Sequence, residues 1–169
     1  HEPLKEKSAT RYLDILEKAV QGGNREPENV YHYAIELLHA ERWDDAIKTY
    51  EDYLSFERHD YYAYLSLCRI GLCYEKLSQL EKALASYHRA IAFDSRQAEA
   101  YIQIGKYYVD QEQFDKAIPY FLAVEGLKIP QQGSVNRNLY TNVPKEFLST
   151  CFFNTGEPVK AIHYALEAL

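Results

Sequence analysis

Sulfur is scarce in this chain: it has no methionine and three cysteines, Cys68, Cys73 and Cys151. An odd, sparse set excludes a disulfide framework. Cys68 and Cys73 stand five positions apart in a helical pattern, about 500° of turn, so they diverge and argue against a zinc knuckle. Buried, reduced thiols in a cytoplasmic protein are the expectation. Long apolar runs are also missing. None approaches the ~20 residues that span a bilayer, and the polar N-terminal stretch lacks the apolar centre of a signal peptide. Positive charge is short as well, with 19 Lys and Arg against 25 Asp and Glu, a net charge of −6. That balance argues against nucleic acid, whose phosphates are met by clustered Lys and Arg. Catalytic motifs are absent too: no glycine-rich phosphate loop and no serine or cysteine nucleophile pattern. The histidines, His1, His32, His39, His59, His88 and His163, are scattered. His32 and His39 share a helical face, but no carboxylate or cysteine joins them at ligand spacing. The expectation is a segment with no catalytic residue, no resident metal and no cofactor.

What remains is 47% apolar and 26% charged, enough to bury a core. Laid over itself, the chain shows four related segments: Trp43–Tyr50, Leu80–Tyr87, Phe114–Phe121 and Pro158–Ala165. Each has alanine at its fourth position. Ala46, Ala83, Ala117 and Ala161 are separated by 37, 34 and 44 residues. Upstream of the second and third alanines lie Leu67, Ile70, Gly71, Tyr74 and Tyr101, Ile104, Gly105, Tyr108. Their spacing of three, one and three is one face of a helix. The glycine marks where a facing helix must come close. The first copy reads Val30, Tyr33, Ala34, Leu37, and the fourth, the weakest, Lys145, Leu148, Ser149, Phe152.

This pattern resembles the tetratricopeptide repeat, W-x2-L-G-x2-Y followed by Ala and Phe/Tyr over 34 residues, across about residues 26–169. The resemblance implies an all-α fold, a right-handed superhelix of tandem helix-turn-helix pairs whose first helices line a concave face. Residues 1–23 form a lead-in and capping helix, with Ser8 or Thr10 as cap and Gly22-Gly23 as stop. Four pairs follow, at about 27–56, 61–93, 98–127 and 144–169. Pro119 falls inside the second helix of the third pair and removes a hydrogen bond there. Residues 128–143, with Pro130, Gly133 and three asparagines, read as an inserted loop of about fifteen residues. The tyrosines at signature positions (Tyr50, Tyr74, Tyr87, Tyr101, Tyr108) are assigned to the core. Tyr61, Tyr62 and Tyr64 either pack against the preceding helix or form an interface, including that of a homodimer.

Family geometry implies groove-lining positions at Tyr31, Ile35 and His39; at Leu65, Cys68, Arg69, Leu72 and Lys76; at Ile102, Lys106 and Val109; and at Glu146 and Thr150. Apolar, aromatic and cationic side chains on one wall suit a protein or peptide partner, although the apolar members could equally pack against a neighbouring helix. The carboxylate clamp of chaperone adaptors is not expected. Tyr31 and Ile35 stand where its Lys and Asn belong, and neither Arg69 nor Lys106 sits in the required frame.

A narrower resemblance concerns the first 55 residues. His1-Glu2, then Arg11 to Ala19, then Asn29 to Ala34, then helix pairs, is similar to the C-terminal region of bacterial family 2 glycosyltransferases that carry such repeats after the catalytic domain. The resemblance implies that His1 is the trace of a metal-assisting histidine at the end of that domain. The Asp-x-Asp motif is not in this segment. A stand-alone scaffold or adaptor is the alternative. The chain begins at His1 and stops in mid-pattern at Ala168-Leu169, as a piece of a longer protein would.

Overall fold

The computed structural model describes residues 3–57, 60–131 and 135–169. Gly133 and the histidines His1 and His59 lie outside the described residues. Among those described there are nine α-helices and no strand: α1 Pro3–Gln21, α2 Pro27–His39, α3 Trp43–Leu54, α4 Tyr61–Lys76, α5 Leu80–Phe93, α6 Glu99–Asp110, α7 Phe114–Glu125, α8 Asn142–Asn154 and α9 Pro158–Glu167. No helix among them is long and apolar enough to cross a membrane. The chain forms two compact units, residues 1–89 and 90–169.

The turns inside the pairs share one construction. Glu41, Ser78, Glu112 and Gly156 each adopt positive φ (58°, 57°, 56° and 80°), and each stands five residues before the repeated alanine. Such a left-handed residue lets a helix end in a Schellman turn. The next amide then donates to the carbonyl five residues back: Arg42 to Leu37 at 2.9 Å, Gln79 to Tyr74, Gln113 to Tyr108 and Glu157 to Phe152, each at 2.8 Å. Those four acceptors are the last residue of the upstream signature in every copy, so the signature's end is also the helix's closing point. Gly23, with φ 95°, stops α1 in the same way, the Asn24 amide donating to Ala19 at 2.9 Å.

In the first unit, Leu16 and Val20 of α1 join Val30, Tyr33, Ala34 and Leu37 of α2, Ala46, Ile47, Tyr50 and Tyr53 of α3, and Ala63, Ile70 and Cys73 of α4 in one buried cluster. The Tyr33 hydroxyl donates to Glu17 at 2.8 Å and ties α2 to α1. In the second unit Ala98, Ile102, Ala117, Phe121, Val124, Leu148, Cys151, Phe152 and Ala161 form the corresponding cluster, and the Phe121 and Phe147 rings stack at 4.9 Å. The four repeated alanines are all buried, at 0, 2, 0 and 5% exposure. The two signature glycines do what their position implies. A Cβ on Gly71 would lie 2.5 Å from the Tyr87 ring, and one on Gly105 would lie 2.5 Å from that of Phe121. In the fourth copy Ser149 takes this place, and its hydroxyl donates to the Ala161 carbonyl at 2.9 Å.

Several local expectations are corrected. Helix α1 starts at Pro3, so Ser8 and Thr10 lie inside it rather than capping it; proline suits the first turn, where no intrahelical N–H bond is lost. Pro119 does lie inside a helix, as expected, and is the sixth residue of α7. The segment after α7 is more ordered than an insertion needs to be. Arg137–Leu139 make a 3₁₀ turn, and the Tyr140 hydroxyl accepts from the Ala98 amide at 3.2 Å and donates to Gln97 at 3.1 Å. The inserted segment thereby satisfies an amide at the start of α6. Tyr50 and Tyr87 are buried, but Tyr74, Tyr101 and Tyr108 are only half-buried.

Candidate functional site

Glu28, Tyr31 and His32 follow one another at i, i+3 and i+4, which places them on one face of α2. Tyr53 comes from the last turn of α3, and Tyr62 from the first turn of α4. These five residues line a cavity of about 120 Å³ within the first unit. The Tyr31 ring is its hub: it lies 5.1 Å from that of Tyr53 and 5.0 Å from that of Tyr62, with interplanar angles of 53° and 63°. Tyr31 and Tyr53 are 7 and 2% exposed and form the deep part, while Tyr62 is 52% exposed. Glu28 and His32 are exposed beside it.

Local structure explains how these rings are held. Pro27 opens α2 with a preset φ, and Glu28 sits in the first turn. Asp60 caps α4, its carboxylate accepting from the Ala63 amide at 3.0 Å and from the Tyr53 hydroxyl at 3.4 Å. One side chain therefore fixes the start of the helix that carries Tyr62 and the hydroxyl of the second ring. Tyr61 stacks on Tyr64 at 6.2 Å, and Tyr64 is buried.

Burial dominates the electrostatics. It pushes the Tyr31 hydroxyl up to about 12, against a smaller downward pull from Arg69. It raises Tyr50 as well, again with Arg69 opposing, and lifts the Cys73 and Cys151 thiols to about 11. All three cysteines are buried, and none is joined in a disulfide. Arg69 is thus a half-buried charge set among Tyr31, Tyr50 and Cys73. Among the described residues the buried Tyr50 hydroxyl has no hydrogen-bond partner.

The groove positions expected from sequence divide into three groups. Cys68 and Ile102 are buried, at 3 and 2% exposure, and serve the core. Ile35, Leu65, Arg69, Leu72 and Val109 are half-buried. His39, Lys76, Lys106, Glu146 and Thr150 are exposed; His39 lies 3.7 Å from Glu36. Tyr31 alone of these lines the cavity. Ile102 and Lys106 belong to the second unit and the others up to Lys76 to the first. Glu28, His32 and Tyr53 were not among the expected residues. The signal that could have found them is the 28, 31, 32 spacing, together with Tyr53 one turn after the signature residue Tyr50.

A second surface feature lies on α9. Val159, Ile162 and Leu166 are 81, 62 and 66% exposed, and their spacing of three and four places them on one side of the helix. Ile47, which stands where Ile162 does in its own repeat, is 8% exposed.

Two tetratricopeptide-repeat family models match the chain, at residues 64–96 and 98–128. No curated protein matches it. Among solved structures the chain is similar to the crystal structure of MamA, with a TM-score of 0.75 and 15% identity over 97% of this chain and 88% of that one. It is similar to the C-terminal part of a TPR repeat-containing protein from Cytophaga hutchinsonii, with a TM-score of 0.74 and 20% identity over 98% of this chain and 60% of that one. It is also similar to YrrB, described as a TPR protein with an unusual peptide-binding site, with a TM-score of 0.65 and 18% identity over 97% of this chain and 78% of that one. At such identities the likeness is one of fold. The chain carries tetratricopeptide repeats and has their all-helical architecture.

Proposed function

We propose that the chain is a protein-interaction module which takes a segment of a partner polypeptide against the α2–α4 face of its first unit. The observation that carries this reading is the tyrosine-lined cavity. Three aromatic side chains from three helices leave a recess of about 120 Å³ on a folded surface instead of closing over it. A recess walled by aromatics is the usual receptor for one anchoring side chain of a bound segment. Arg69, half-buried on α4, adds a cation that a partner carboxylate can approach. The test is panning of a random peptide library against the intact chain. Enriched peptides should lose binding to Tyr62→Ala, which removes the exposed wall while sparing the buried rings. Enrichment of nothing, or of peptides indifferent to Tyr62→Ala and Arg69→Glu alike, contradicts the reading.

Self-association is a second reading, favoured by the exposed Val159, Ile162 and Leu166 on α9. Light scattering over a dilution series tests it: mass should rise with concentration and fall to that of the monomer in Ile162→Glu.

The parent of this module, on our reading, is a family 2 glycosyltransferase in which the repeats bind an acceptor polypeptide or pair two enzymes. What supports this is the order of features over the first 55 residues. His1, its proposed metal-assisting remnant, lies outside the described residues. Reading the full-length gene decides it: upstream strands and helices with an Asp-x-Asp motif establish the parent, and their absence leaves the stand-alone scaffold. Three buried cysteines held in no disulfide support a reducing, cytoplasmic setting.

A further inference from the structure

The chemistry of the recess in the first unit narrows what kind of side chain it takes. Its walls are the rings of Tyr31, Tyr53 and Tyr62, with Glu28 and His32 at the edge. Tyrosine offers a negative π face and a positive ring edge. The Tyr31 ring is inclined to its two neighbours by 53° and 63° at about 5 Å, so the three do not form one flat stack; they enclose a corner. A purely apolar guest gains from such a corner by area alone. A cation gains in addition from the ring quadrupoles, and here from the Glu28 carboxylate at the mouth. Arg69, whose charge reaches the Tyr31 hydroxyl, does not line the cavity. The chain's net charge of −6 attracts basic partners at long range. A volume of about 120 Å³ approaches the ~150 Å³ cavity that admits benzene, and a trimethylammonium head is of that order.

We infer that the Tyr31–Tyr53–Tyr62 corner is an aromatic cage for a lysine-type ammonium on the partner segment, strengthened when that ammonium is methylated. The inference deepens the interaction reading and rests on it. Glu28 supplies the charge complement, Tyr31 the floor, and Tyr53 and Tyr62 the walls.

The test uses two probes of nearly the same shape, choline and its neutral isostere 3,3-dimethylbutan-1-ol. Each is titrated into the intact chain with tyrosine ring protons followed by NMR. Choline should bind saturably, moving the Tyr31, Tyr53 and Tyr62 resonances, at least ~10-fold more tightly than the neutral alcohol. Tyr62→Leu keeps the apolar bulk but removes a π face, and Glu28→Gln removes the charge. Each should cut the preference several-fold while circular dichroism stays unchanged. Equal binding of both probes at these rings overturns the cation inference and leaves the interaction reading standing. Binding of neither overturns the cage, and the peptide panning then judges the interaction reading separately. Choline preference that survives both substitutions also overturns it, because the cation would then be held elsewhere.

Discussion

Replacing Gly71 or Gly105 by alanine tests the packing of the helix pairs by the sign of its effect. In an ordinary exposed helix interior, Gly→Ala stabilises by about 1 kcal/mol, because glycine loses more backbone freedom on folding. Here the added methyl has no room. At Gly71 it would sit 2.5, 2.7 and 2.9 Å from Cε1, Cζ and Cδ1 of Tyr87; at Gly105 it would sit 2.5, 2.6 and 2.9 Å from Cζ, Cε1 and Cε2 of Phe121. Carbon atoms settle at about 3.5–4.0 Å, so each ring must retreat by about 1 Å. Neither ring can do so freely, because Tyr87 is 1% and Phe121 0% exposed. Overpacking of a closed core costs about 1–3 kcal/mol. The propensity gain offsets part of this, and we expect a net loss of about 1–2 kcal/mol for each substitution. In a chain of this size that lowers Tm by about 2–8 °C. Urea and thermal unfolding of Gly71→Ala and Gly105→Ala measure it, and a cycle with Tyr87→Leu identifies its cause. In the Tyr87→Leu background Gly71→Ala should be at least ~1 kcal/mol less costly. A gain in stability from Gly71→Ala in the otherwise native chain, as at an exposed helix position, would refute the close approach.

Four other substitutions and one titration follow from the same structure. Tyr50→Phe removes a buried hydroxyl that has no partner among the described residues, so stability should rise or hold, by up to about 1 kcal/mol; a loss above that in urea unfolding would mean the hydroxyl is bonded. Glu41→Gly and Glu112→Gly relieve left-handed backbone at φ 58° and 56°. Each should stabilise by about 0.5–1 kcal/mol, and a fall in Tm would count against the turn geometry. Tyr140→Phe removes both hydrogen bonds to the start of α6 and should cost about 1–2 kcal/mol, with faster exchange of the Ala98 amide. Burial raises the Cys73 and Cys151 thiols from 9.0 to about 11. A raised acid favours the folded state fully below its unfolded value, and that contribution is lost as pH climbs from about 9 to 11. Stability should therefore decline across this window, and Cys73→Ala with Cys151→Ala should shallow the decline.

How much of this was legible in the sequence depends on what each feature answers to. Gly71 and Gly105 are forced to be small by a facing ring, and Ala46, Ala83, Ala117 and Ala161 are buried, so their spacing alone disclosed the pairs. Helix ends came within about two residues, the ordinary uncertainty of such limits. The start of α1 did not, because Ser8 and Thr10 are good caps by type while Pro3 is a good first-turn residue by geometry. The left-handed turns at Glu41, Ser78 and Glu112 were hidden because glycine, their usual marker, appears only at Gly156. The cavity was half legible. Tyr31 sits at a family groove position, but Tyr53 comes from the second helix of its pair, and reading first helices alone passes over it. Cys68 and Ile102 share the groove register with Tyr31 yet do not line the cavity. Register along one helix tells which way a side chain leaves the backbone and not what stands opposite.

The most direct measurement of the central claim is an NMR titration of the intact chain, labelled on tyrosine, with a peptide recovered by panning. A segment seated in the recess should shift the Tyr31, Tyr53 and Tyr62 rings saturably, with Tyr120 and Tyr164 of the second unit left in place. Shifts confined to Tyr120 and Tyr164, with the three cavity rings unmoved, would contradict it.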